Sequence, residues 1–101
     1  MAEVQVTDSG RVTSRVGDTV VVRLPENAAT GYVWSVASLG DGLLLEEDSG
    51  SPVGSLSGGA PGEHVVRVQA EEPGTWHIDL QLARGWEAGP AEEKRITVEV
   101  S

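Results

Sequence analysis

The chain has no cysteine and no phenylalanine, and only one tyrosine and one methionine among its 101 residues. Without cysteine, disulfides, thiolate metal sites and a cysteine nucleophile are excluded. Without phenylalanine, the core must come mainly from Val, Leu and Ile, with three tryptophans as the other large rings. That favours β structure, because β-branched side chains stand well on a pleated, half-buried surface. Long hydrophobic runs are missing as well: no segment approaches the roughly 18 apolar residues of a membrane span. No charged-apolar-small leader opens the chain. The expectation is a cytoplasmic protein, or a secreted or periplasmic one whose leader lies outside this sequence. Positive charge is scarce, with 7 Lys+Arg against 16 Asp+Glu and a net charge of −9. This argues against nucleic acid and anionic membranes as partners, since both need a cationic surface. It suits a basic partner, or serves solubility alone. The preference for Gly, Ala and Val, and for Arg over Lys, is the style of a GC-rich bacterial genome.

A chain of this length is expected to form one domain, residues 1–101. It buries roughly two-thirds of the surface its unfolded form exposes, enough for a single core. Period-2 alternation dominates, and no window shows an amphipathic helix. Val4 and Val6 begin a short first strand, and Val12–Val16 offers a second short piece. Thr19–Leu24 has Val20, Val22 and Leu24 on one face, and Pro25 is expected to end it because proline cannot donate to a ladder. Tyr32–Val36 places Tyr32, Trp34 and Val36 together. Leu43–Glu47 is apolar at its start. Glu63–Ala70 reads with Val66, Val68 and Ala70 inward and His64, Arg67 and Gln69 outward. Thr75–Ala83 alternates most cleanly, with Trp76, Ile78, Leu80 and Leu82 inward. Arg95–Val100 closes the chain with Ile96, Val98 and Val100 inward. Short strands separated by regular turn signals predict an all-β, immunoglobulin-like antiparallel β-sandwich of about seven to eight strands.

Three segments break the pattern: Pro25–Gly31, Gly50–Gly62 and Arg84–Pro90. In an antiparallel sandwich the loops alternate between two ends, so these three share one end. The short turns Ala37–Gly42 and Glu71–Gly74 fall at the other. Long loops without structure of their own are uncommon in compact domains and often functional.

The first loop carries Asn27, Ala28, Ala29, Thr30, Gly31 and Tyr32. Gly31 permits a positive φ or close backbone approach, and Asn27, the chain's single asparagine, can bond its own loop. An ordinary loop with a turn-stabilising Asn27 and Tyr32 capping the core is the plainer reading of the composition. The second loop centres on Ser57, Gly58 and Gly59, where paired glycines either expose backbone to another chain or form a slack tether. The third carries Arg84, Gly85 and Trp86. Nothing around Trp86 buries it, and an exposed Trp beside an Arg has the composition of an interface anchor. The alternative is a ring folded back over the sandwich end. Trp34 and Trp76 lie on strand faces and are read as core.

Catalysis finds little support. His64 and His77 are read at outward strand positions without metal-ligand spacing, so no metal site and no cofactor is expected. No serine sits in a G-x-S-x-G elbow, no glycine loop opens a phosphate-binding helix, and Glu46 and Glu47 point to opposite faces of a strand. The chain reads as a binder and not an enzyme.

The motifs Asn27–Tyr32 (NAATGY), Leu56–Gly59 (LSGG) and Arg84–Trp86 (RGW), in this order, resemble those of the chagasin-like inhibitors of papain-like cysteine proteases. That family carries N-P-T-T-G-[YF], G-x-G-G and R-P-[WF] in corresponding loops, and the likeness spans nearly the whole chain. The resemblance implies an immunoglobulin-like sandwich acting as a monomeric, reversible inhibitor, with the three loops wedged into the protease cleft. Thr30 and Gly31 would lie over the catalytic cysteine, Gly58 and Gly59 would make backbone contacts on one side, and Arg84 and Trp86 would grip the other. Ala28, Ala29, Leu56 and Gly85 depart from the family pattern; the two that replace proline, Ala28 and Gly85, can each cost several tenths of a kcal/mol or more of preorganisation. The rival reading is an immunoglobulin-like binding or adhesion module for a protein or polysaccharide that does not inhibit.

Overall fold

The alternation of the sequence builds eight strands in the computed structural model, which describes residues 2–7, 10–26, 31–50, 62–84 and 89–101. They are β1 (Glu3–Val6), β2 (Gly10–Ser14), β3 (Thr19–Glu26), β4 (Val33–Leu39), β5 (Leu43–Ser49), β6 (Gly62–Ala70), β7 (Gly74–Ala83) and β8 (Glu92–Val100). One four-stranded sheet runs β1-β3-β6-β5 and the other β2-β8-β7-β4. No helix among the described residues is long and apolar enough to cross a membrane.

The sandwich is antiparallel through its long strands, while the two short N-terminal strands add in parallel, β1 beside β3 and β2 beside β8. The chain thus visits both sheets before its first long strand. Between the sheets lie Val20, Val22, Leu24, Trp34, Val66, Val68, Ile78, Leu80, Ile96 and Val98, all buried. These are the alternate positions read as inward, and their apolar burial supplies the main folding force.

Some boundaries differ from the sequence reading. β3 runs through Pro25 to Glu26, with Pro25 opposite Glu63 and Glu26 opposite Gly62. The β1 ladder stops at Val22, so beyond it β3 is an edge on that side, where a strand accepts proline. Tyr32 precedes β4 instead of starting it, and Val16 lies past β2 and is exposed.

Val21 faces away from the core yet is fully buried. Its cross-strand neighbours are Gln5 and Arg67. The Arg67 guanidinium reaches Glu3 on β1 at 2.9 Å and Glu47 on β5 at 3.3 Å. Arg23 bonds Gln5 and Glu63 nearby. The aliphatic stems of such arginines cover apolar surface while their heads stay polar, which accounts for a buried valine on an outer face.

At the pole of the short turns, Trp76 is only partly buried, at the edge of the core. Its indole Nε1 donates to the Glu72 carbonyl at 2.9 Å, and its ring lies against Gly40, Gly42 and Gly74. A Cβ at Gly42 would stand 2.2 Å from the ring. These glycines are the floor on which the indole rests.

Candidate functional site

The register places three long connections at one end of the molecule. In the first sheet the end of β3 (Glu26) pairs with the start of β6 (Gly62), and Ser49 at the end of β5 lies opposite Val65. In the second sheet the start of β4 (Val33) pairs with the end of β7 (Ala83), and Leu82 lies opposite Glu92 at the start of β8. The stems of all three loops therefore emerge together.

The two sheets are tied at this end around Trp34. Its backbone N–H donates to Glu26 Oε2 at 2.8 Å, and its indole Nε1 donates to the Pro25 carbonyl at 3.0 Å. Both bonds close the base of the first loop. A hydrogen bond to a buried charged acceptor contributes about 1.5–3 kcal/mol. The third loop is closed by the Ala91 N–H donating to the Leu82 carbonyl at 2.8 Å.

Gly31 adopts φ +80°, the first of the two uses its glycine permits. Tyr32 follows, half-buried. The Arg84 guanidinium carbon lies 4.0 Å from the centre of the Tyr32 ring. Cation–π contacts of this kind contribute roughly 0.5–2 kcal/mol. The first and third loops thus meet through two of the residues singled out in the sequence. Asn27, Ala28, Ala29, Thr30, Leu56, Ser57, Gly58, Gly59, Gly85 and Trp86 lie outside the described residues.

Sequence reasoning missed a polar cluster directly beneath these stems. His64, read as outward, is buried at 3% exposure. Its place was set by parity: it shares a face with Val66, Val68 and Ala70, and its polarity alone had suggested solvent. Its Nδ1 lies 3.0 Å from Glu26 Oε2, a contact out of line for a hydrogen bond, and its Nε2 is hydrogen-bonded to Asp48 Oδ1. Glu26 is itself 7% exposed. It continues the inward face of Val20, Val22 and Leu24 past Pro25. Asp48 is turned inward by a bulge between Leu45 and Glu47, after which Glu47 lies opposite Arg67 and Asp48 opposite Val66. His77, half-buried on β7, contacts the Thr97 hydroxyl at 3.2 Å. No group of three His, Cys, Asp or Glu side chains that could hold a metal ion occurs among the described residues.

What the arrangement offers is a base that ties the stems of three loops together. Two members of the polar cluster, Glu26 and His64, are buried within the fold, and Arg84 stacks on Tyr32 above it.

Comparison with known proteins agrees with this geometry. The family described as Chagasin family peptidase inhibitor I42 matches residues 13–100. Chagasin of Trypanosoma cruzi is 28% identical over 92 residues, covering 86% of this chain and 84% of chagasin. The cysteine protease inhibitor EhICP2 from Entamoeba histolytica superposes with a TM-score of 0.81 at 24% identity, over 99% of this chain and 96% of that one. Amebosin follows at 0.73 and 23%, over 99% and 97% of the two chains. PbICP-C, solved in complex with falcipain-2, gives 0.69 and 18% over the full length of both.

Proposed function

This chain belongs to the chagasin family of peptidase inhibitors, and from that premise we propose that it is a reversible inhibitor of papain-like cysteine proteases. The observation that carries the reading is the gathering of the three loop stems at one end, with Arg84 stacked on Tyr32 between the first and third. Its relatives chagasin, EhICP2 and PbICP-C point to the same class of target.

The mechanism follows from preorganisation. Association costs less when loops are already held in their bound arrangement. Here the loop bases are fixed by buried bonds from Trp34 to Glu26 and Pro25 and by the Ala91–Leu82 closure. On this reading the first loop, Asn27–Tyr32, covers the catalytic cysteine without presenting a cleavable bond in reacting geometry. Leu56–Gly59 lies along one side of the cleft through its backbone. Arg84 and Trp86 hold the other side, with Trp86 the main anchor. The partner is the protease alone, and the inhibitor acts as a monomeric, single domain.

Steady-state inhibition of papain with a small fluorogenic substrate tests this. Competitive inhibition that is reversed by dilution is the expected result. Absence of inhibition at high micromolar concentration would contradict the proposal and favour a non-inhibitory binding module.

A further inference from the structure

We propose that Glu26, His64 and Asp48 are positioning residues: a clamp, buried at Glu26 and His64 and partly open at Asp48, that holds the stem of the second loop against that of the first. The inference deepens the inhibitor reading and rests on it for its effect on protease binding.

The three residues come from three strands, each of which borders a loop. Glu26 is the last residue of β3, where the first loop begins. Asp48 is the penultimate residue of β5, where the second begins, and His64 lies just inside β6, where the second ends. The Glu26 carboxylate also accepts the Trp34 N–H at the far side of the first loop. A continuous line of polar contacts therefore runs from β4 through Glu26 and His64 to Asp48, crossing both loop bases.

Two features mark the cluster as more than satisfied burial. The first is the bulge that turns Asp48 to the inner face; without it, period-2 alternation would send this carboxylate to solvent. The second is Gly50. A Cβ there would stand 2.3 Å from Glu26 Oε1 and 3.2 Å from His64 Nδ1. The backbone just past β5 thus lies directly on the other two members of the cluster. The second loop is anchored by the Asp48 side chain and, two residues on, by the Gly50 backbone. His64 joins the two carboxylates because each ring nitrogen faces one of them.

Asp48 is the member suited to a test, because its side chain is 30% exposed and its removal leaves the buried pair in place. Asp48→Ala cuts the link to β5. Asp48→Asn keeps an acceptor for His64. Glu47→Ala removes the adjacent carboxylate, which bonds Arg67 on the outer face and accepts from the Ser49 hydroxyl at 2.7 Å, and serves as the control at Gly50 and Gly62. Amide hydrogen exchange at Gly50 and Gly62 in the free protein, and the dissociation rate from papain, are read for each. The clamp predicts exchange at those amides at least about tenfold faster in Asp48→Ala, with a dissociation rate raised by a similar factor. Asp48→Asn stays near wild type, and Glu47→Ala leaves both readouts unmoved. Asp48→Ala indistinguishable from Glu47→Ala in stem exchange would overturn the clamp. Faster stem exchange in a protein that does not bind papain at all would uphold the clamp and refute the inhibitor reading instead.

Discussion

Glu26 and Trp34, eight residues apart across the first loop, are joined by a 2.8 Å hydrogen bond from the Trp34 N–H to Glu26 Oε2 in the buried interior. The bond links the two sheets where the loops emerge. Removing the carboxylate orphans a buried N–H and leaves His64 without its neighbour. Glu26→Ala is therefore expected to lower stability by about 2–4 kcal/mol. Glu26→Gln, which keeps a carbonyl acceptor, recovers part of that. Urea denaturation of both variants checks the order, and equal losses would show that the acceptor is not what matters.

Arg84 over the Tyr32 ring couples the third loop to the first. Arg84→Ala and Tyr32→Leu are each expected to weaken protease binding. Because the two residues share one contact, their effects fall short of additivity by about 0.5–2 kcal/mol in a double-mutant cycle. Inhibition constants for the wild type, both single variants and the double variant give that figure directly. Strict additivity would mean the stack does not contribute to the binding edge.

At the opposite pole, Gly42 holds the Trp76 indole so closely that a methyl group has no room. Gly42→Ala is expected to displace the ring and lower stability by about 1–3 kcal/mol. Tryptophan fluorescence reports the displacement and urea unfolding the loss. Pairing it with Trp76→Leu makes the second change milder than it is alone. This pole lies away from the loops, so the inhibition constant stays unchanged.

Asp79 accepts bonds from Arg95 Nε at 2.7 Å, Arg95 Nη2 at 3.2 Å and Ser38 Oγ at 2.7 Å. Arg95 above all, and Ser38 next, hold its carboxyl below the ordinary value of 3.8. A carboxylate depressed in the folded state stabilises above the unfolded value, and that stability is lost as pH falls through the folded one. Asp79→Asn is thus less stable than wild type at neutral pH, and the gap narrows below about pH 4. Melting temperatures from pH 7 to pH 2 check this; a gap independent of pH would assign the loss to packing.

Most of the sandwich is legible in the sequence because its long strands obey a strict period of two. Val20, Val22 and Leu24, or Ile78 and Leu80, declare their face without help from distant residues. The parallel pairing of β1 and β2 is not legible, since it depends on which sheet each short strand joins. Pro25 misleads for a related reason: only the early end of β1 makes room for it within β3. At the loop end, parity already marks His64 and Glu26 as inward, but their polarity points the other way. Asp48 is harder still, because a bulge shifts its parity and a bulge leaves no mark in LLLEEDS. Of the residues in the three motifs, Gly31, Tyr32 and Arg84 are described, and they lie at the loop end. The contact between Tyr32 and Arg84 spans two loops and so exists only in the fold.

The central claim is that the three-loop end is a protease-binding edge anchored by Trp86. Titration of papain with the wild-type chain and with Trp86→Ala, both checked for an unchanged melting temperature, tests it most directly. Competitive inhibition by the wild type is expected, with a loss of about 2–4 kcal/mol in the variant, a factor of roughly thirty to a thousand in the inhibition constant. Equal inhibition by the two folded proteins would contradict the claim.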